Sequence, residues 1–372
     1  MPNWFIDESV ATQTAYAQLF QTALEVQSRK LIADLSGNFV SKIIRRQTYW
    51  YYRYSVAKDN RVQVYLGPDS PAIQALIAKK QSQTSLAVAG ALRRQLKIAV
   101  AAGACTTPSA QLKPIRRLAE YGFFQAGGVL VGSHAFAAYS NMLGIQWANE
   151  NIHKTLDVDF AHAGKNLSLA IDPSFKINTT TAIQSLEEGF LPRASDTGRS
   201  GSWAHPTDPD FIIDFLTPKS SVDDAPFESE QLGIALQPLK FMEFSLEHIQ
   251  QAILFNATDT AIVNVPDPSR YAVHKLIVYV ERLSSNSVKA HKDLAQAAAL
   301  IAVLKRDRPD DLFDCFADAL GRGPGWKKRV DQGIRALESK HADLDLKSWL
   351  IVMQQQRDKE NQGDDDSTVQ DE

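Results

Sequence analysis

Only two cysteines, Cys105 and Cys315, occur in the chain. They lie far apart and lack the paired spacing of a zinc site, which excludes a disulfide-built scaffold and a cysteine-ligated metal. They read as reduced, buried thiols. No apolar run approaches the ~18 residues that a membrane span needs, and Met1 to Thr12 carry Asp7 and Glu8 in place of a basic leader. The expectation is a cytoplasmic protein with no membrane partner. Net charge is scarce too, at −3, but it is unevenly divided: residues 1–120 hold 16 Lys/Arg against 7 Asp/Glu, and the remainder 24 against 36. A basic front (+9) and an acidic back (−12) imply polarity in function. At 372 residues the chain has room for two or three domains and a sizeable core.

What is present is concentrated between Gly127 and Phe160. Gly128 to Val131 reads as a buried strand that breaks at Gly132-Ser133 and opens a helix through His134, Ala138 and Asn141. The stretch Leu156-Asp157-Val158-Asp159-Phe160 alternates, so both carboxylates project from one face of a strand and the three apolar side chains from the other. Two carboxylates side by side raise each other's pKa unless a cation sits between them, which suits a hard divalent metal. Gly132-Ser133 supplies a turn without side-chain obstruction, a hydroxyl and helix N-terminal N–H groups fit for a phosphate. Farther on, Phe211 to Leu216 is an apolar strand interrupted once, by Asp214. A carboxylate there is costly unless paired or metal-bound; the other reading is a strand-end Asp satisfied by a backbone N–H.

Around this unit, helical spacing covers Ser9–Leu35, Ser70–Gly103 and Lys113–Phe124. Between the first two, Gln47 to Gly67 reads as a β-hairpin turning at Lys58-Asp59-Asn60, with Tyr49, Trp50, Tyr51, Tyr52 and Tyr54 set among Arg45, Arg46, Arg53 and Arg61. Two readings stand: rings and guanidinia that stack bases and pair phosphates, or a core hairpin that buries half its rings. Leu167–Ile171 reads as a strand, a helix follows through Ile183, Leu186 and Phe190, and residues 192–209 as an irregular hairpin. From Pro238 onward the pattern reads as helical, with paired helices at Ser269–Arg282 and Ser287–Lys305. From Gln354 the composition turns polar and acidic and reads as a disordered tail.

Taken together, the order Gly-Ser, Asp-x-Asp and a later third carboxylate resembles the polymerase β-like nucleotidyltransferase superfamily. More closely, YWYYRY…YLGP, GFFQAGGVLVGSHAFAAY, TLDVDF, IIDFLTP and PSRYAVHKLIVYVERL…KAHKDLAQA, spanning roughly residues 47 to 305, are similar to the blocks of a bacterial family of stand-alone nucleotidyltransferase-like proteins. The gap from Ser133 to Asp157 is longer than the usual superfamily loop. The resemblance implies an α+β fold: a polymerase β-like palm, a small mixed sheet with flanking helices, at 111–240. A basic helix-and-hairpin region would precede it at 1–110, and a helical domain (241–352) and the tail (353–372) would come after it. It implies that Asp157, Asp159 and Asp214 bind Mg²⁺, with Mn²⁺ as a substitute, and that Asp214 helps deprotonate the acceptor. Gly132 and Ser133 would hold the β- and γ-phosphates of an NTP, and Lys275, with Lys292 as second choice, would neutralise them. His134 either faces the phosphates or caps its helix; His274 packs or ligates and stays outside the catalytic set. The activity implied is two-metal transfer of a nucleoside monophosphate to RNA or tRNA, or to a protein, with a toxin or defence role by analogy. The competing reading is a catalytically inactive nucleotide-sensing or partner-binding module. A sugar-nucleotide enzyme fits less well, because no run of βα repeats precedes the motif.

Overall fold

The computed structural model describes residues 4–28, 38–44, 46–57, 60–81, 84–149, 155–162, 176–193, 200–219 and 225–367. Side chains at 54–62, 79–89 and 361–367 are not among those described. The expected strand at 167–171, the Lys58-Asp59 turn, Arg45 and the side chains of Tyr54 and Arg61 lie outside this set.

The chain opens with β1 (Phe5–Asp7) and α1 (Val10–Ser28). Three antiparallel strands follow, β2 (Asn38–Ile44), β3 (Gln47–Ala57) and β4 (Asn60–Pro68), so the expected hairpin has a further strand on its β3 edge. Next come α2 (Pro71–Gln81) and α3 (Thr84–Ala101) in place of one long helix, and α4 (Ser109–Glu120). The central unit is β5 (Gly128–Val131), α5 (Gly132–Leu143), β6 (Ile145–Trp147) and β7 (Val158–His162). After it come α6 (Thr179–Gln184), β8 (Leu191–Pro192), β9 (Ser202–Ala204), β10 (Ile212–Pro218), β11 (Phe227–Ser229) and β12 (Ile234–Leu239). Then α7 (Met242–Leu246), β13 (Ile249–Phe255), β14 (Thr260–Pro266), α8 (Pro268–Arg282), α9 (Ser287–Asp307), α10 (Pro309–Gly321), α11 (Pro324–Lys340) and α12 (Leu346–Ser367) complete the chain. The fold is α+β, as expected.

β10 is the axis of the main sheet. It runs parallel to β7 on one edge, while β9 and then β12 occupy the other, and β5 closes the far side antiparallel to β7. Beneath β7 and β10 the rings of Phe123, Phe160 and Phe215 are fully buried and lie 5.3 to 5.8 Å apart. That aromatic floor fixes the pleat, and with it the face on which the intervening carboxylates stand. The C-terminal helices pack on this body. Asp267 caps α8 by accepting from the amides of Ser269 and Arg270, with Pro268 opening the helix; Asn286 caps α9 through the Lys289 amide.

Two further expectations fail. The region after Pro238 contains the hairpin β13–β14, not helix alone; Asn264 of β14 donates to the carbonyls of Phe124 and Gly128 (2.8 and 2.9 Å), tying it to the root of β5. The apolar run Ala252-Ile253-Leu254-Phe255 is buried and carries no period that separates helix from strand. The acidic tail is also not disordered over most of its length, since α12 continues to Ser367. Arg357 anchors it, pairing with Asp314 of α10 at 2.9 Å, and Gln354 bonds Asp358 one turn on.

Candidate active site

Strand pairing brings the expected residues together. Asp214 of β10 sits opposite Asp159 of β7, Asp159 opposite Val131 of β5, and Asp214, on its other edge, opposite Ser202 of β9. The row Ser202, Asp214, Asp159, Val131 thus crosses four strands, and Gly132 comes directly after it at the head of α5. Gly132 has φ +64°, and a Cβ there would lie 2.0 Å from Asp159 Oδ2. Only glycine allows α5 to start this close to the carboxylate. Val131, at the cap position, has no side-chain oxygen to offer the first amides of the helix. Two α9 and α8 residues hold the turn: Gln296 donates to Ser133 Oγ (3.2 Å), and the Tyr271 hydroxyl donates to the Gly132 carbonyl (2.8 Å).

Gly132, Ser133, Asp159 and Tyr271 line one cleft of about 340 Å³, together with Asp157, Lys275, Lys289, Lys292 and Asp293; Asp214, opposite Asp159 on the next strand, is not part of that lining. Asp157 precedes β7, and Leu156, expected on the apolar face, is 45% exposed; the alternation is real only from Val158. Burial first, then the neighbouring Asp214 and Asp157, raise Asp159 to about 6, against the lowering influence of Arg282 and Lys275. Burial also raises Asp214; a hydrogen bond from Ser202 opposes this and Asp157 adds to it.

Each of the other carboxylates has a resident partner. Asp157 Oδ2 lies 3.2 Å from Lys289 Nζ, and Asp214 accepts from Ser202. Among the described residues, no group of three or more His, Cys, Asp or Glu side chains is gathered so as to hold a metal ion. The donor chemistry nevertheless fits a hard cation, because Asp159, whose ionisation burial and its acidic neighbours disfavour, stands with Asp157 and Asp214.

Lys275 differs from expectation. Its ammonium is buried and bonded to Asp293, which also takes Arg282 at 2.8 Å. Burial pushes the Asp293 carboxyl up, yet these two cations outweigh it and hold the group below its ordinary value. Lys275 is therefore committed to a carboxylate and is not an open phosphate partner. Lys292 lines the cleft, its pKa lowered by burial and then by Lys275. His274 is also buried there, neutral, pushed down to about 3 by burial and then by Lys275. Ser202, Lys289, Tyr271 and Gln296 were not singled out from sequence. Ser202 opens β9 at the end of a Gly/Ser-rich stretch where nothing marks one serine over another. Lys289 and Gln296 were findable, since with Lys292 and Asp293 they recur at helical spacing behind the Asn286 cap.

Among the described residues, no helix is long and apolar enough to cross a membrane. No curated protein sequence matches the chain. A crystal structure of an antigenic nucleotidyltransferase-like protein from Paracoccidioides brasiliensis is similar at 13% identity, over 60% of this chain and 94% of that one; its TM-score of 0.30 marks the overlap as too loose to inform the fold. A family profile described as nucleotidyltransferase matches residues 111–321, from α4 through the carboxylate strands to the end of α10 and more than half of the sequence, and the chain belongs to that nucleotidyltransferase family.

Proposed function

We propose that the protein is a Mg²⁺-dependent nucleotidyltransferase that moves a nucleoside monophosphate from an NTP to an acceptor hydroxyl, with the mixed sheet as its palm. The observation that carries this reading is the cross-strand row of Asp214, Asp159 and Val131 that runs into Gly132: it sets Asp159, with Asp157, beside a helix N-terminus inside one cleft, and Asp214 opposite Asp159 on the next strand.

Asp157 and Asp159, with Asp214 as third, are the oxygen donors for Mg²⁺ or Mn²⁺, which when bound stabilises the attacking and leaving oxygens of an in-line displacement at the α-phosphate. The amides at the head of α5 and the Ser133 hydroxyl receive the β- and γ-phosphates, a role the dipole of a helix start favours. Tyr271 and Gln296 keep that turn in register. Lys289 and Lys292 supply positive charge from α9; Lys289, now on Asp157, is exposed enough to turn to a phosphate once that carboxylate has another partner. Lys275 acts behind them by fixing Asp293. Asp214, its orientation set by Ser202, accepts the acceptor's proton as the new P–O bond forms and the α–β bridging bond breaks, releasing pyrophosphate.

The second reading, a nucleotide-binding module without transfer, draws support from the partners already on Asp157 and Asp214. Incubation with each labelled NTP, Mg²⁺ and total cellular RNA separates the two. Label in a macromolecule is expected; nucleotide binding with no label in any macromolecule favours the module.

A further inference from the structure

Away from the cleft, the sheet β2–β4 has two unlike faces. On one, Tyr52 is buried with Phe39 edge-on at 5.3 Å, and Ile73 of α2 packs at Gly67, opposite Trp50. On the other, register places Lys42 of β2, Tyr49, Tyr51 and Arg53 of β3, and Gln63 and Tyr65 of β4. The ring of Tyr65 lies 6.3 Å from Tyr49 and 5.4 Å from Tyr51, and Lys42 Nζ stands 4.9 Å over the Tyr51 ring. Tyr65 is 55% exposed. Among the described residues, the ring contacts of Tyr49, Tyr51 and Tyr65 are to one another and to a cation of the same sheet, and the Tyr49 hydroxyl donates to Gln47 (3.1 Å), unlike the contacts of rings that seal a core. Charge points the same way: residues 38–68 contain Lys42, Arg45, Arg46, Arg53, Lys58 and Arg61 against a single acid, Asp59.

We propose that this face binds single-stranded nucleic acid, with bases on Tyr49, Tyr51 and Tyr65 and phosphates on Lys42 and Arg53. Unpaired bases each offer a flat π-face to a tyrosine, which a duplex keeps inside its stack, and guanidinium and ammonium groups pair the backbone. The binding stands on this geometry alone; that the strand is also the acceptor class rests on the transfer reading above.

The test titrates the full-length protein into a fluorescein-labelled oligouridylate over a range of salt. Two phosphate contacts predict log K falling against log[salt] with a slope of at least about −1.4, since each contributes about 0.7 on a single strand. Tyr65→Ser, on an exposed edge-strand position, is expected to weaken binding about tenfold with the slope unchanged, because stacking releases few ions. Lys42→Gln with Arg53→Gln is expected to flatten the slope by about 1.4. Should the tyrosine variant not fold, the Lys42→Gln variant, at an exposed position, carries the test. Nucleotide binding in the cleft is expected to survive in the sheet variants, whereas Asp159→Asn keeps oligouridylate binding and loses transfer. Failure of the one reading is thereby distinguished from failure of the other. Absent or salt-insensitive binding, equal affinity for duplex RNA, or capture of anionic vesicles but not the oligonucleotide overturns the proposal.

Discussion

Two groups of charged side chains face each other across the cleft, and they are built on opposite terms. On the helix side, Asp293 is nearly fully buried but is held between Lys275 and Arg282, so the carboxyl stays ionised. On the sheet side, three carboxylates share a neighbourhood, and burial and mutual repulsion raise Asp159 and Asp214. The first group is satisfied as it stands. In the second, Asp157 pairs with Lys289 and Asp214 accepts from Ser202, yet Asp159 and Asp214 stay raised. Buried charge by itself is thus no sign of chemistry; the difference lies in whether the protein supplies the counter-charge.

The largest effect is expected at Asp293. Asp293→Ala strands a buried ammonium and a half-buried guanidinium, and is expected to cost about 3–5 kcal/mol, read as a large fall in the urea midpoint. A loss below about 1 kcal/mol would remove the distinction drawn between the two groups.

Gly132→Ala comes next in size. The backbone angle and the carboxylate beside it leave no room for a methyl group, so about 1–3 kcal/mol of strain is expected, with nucleotide binding lost. Titration of labelled NTP against the folded variant checks this.

Asp159→Asn and Asp214→Asn are expected to do the reverse of Asp293→Ala: thermal stability equal or slightly raised, transfer abolished. For Asp214, the amide oxygen still accepts from Ser202. A marked drop in melting temperature in either variant would place these carboxylates with Asp293 as structural groups.

Much of this contrast was open to reading in the sequence, but one half more than the other. Asp157, Asp159, Gly132 and Ser133 fall within a short stretch whose alternation and glycine break are local signals, and Asp214 declares itself as the lone charge in an apolar strand. The helix side is nonlocal. Nothing in Lys275 shows that it is taken by Asp293, eighteen positions away, because that depends on how α8 packs against α9. The hairpin β13–β14 escaped for a related reason: Ala252 to Phe255 is an unbroken apolar run, and only its pairing with β14 makes it a strand. Helix α12 escaped because polar composition says little when Arg357 finds two aspartates on a neighbouring helix.

The smallest effect is expected at Glu8, far from both groups. Burial raises it to about 7, and neither carboxylate oxygen has a hydrogen-bond partner. Its folded pKa lies above the unfolded value near 4.5, so the folded state binds more protons between about 4.5 and 7. Stability should therefore fall as pH rises through that window and level off above it, by about 1–2 kcal/mol in all once solvent screening of the carboxyl is allowed for. Glu8→Gln should flatten the profile in thermal melts; an unchanged profile would assign the slope to other groups.

The most direct test of the contrast is ligand-induced stabilisation of the wild-type protein and Asp159→Asn, each melted with and without Mg²⁺ and an NTP. Mg²⁺ and NTP together are expected to raise the wild-type melting temperature, through binding to the folded state, and to leave Asp159→Asn where it was. Equal upshifts in both proteins, or none in either, would contradict the claim that the sheet carboxylates await a cation and its nucleotide.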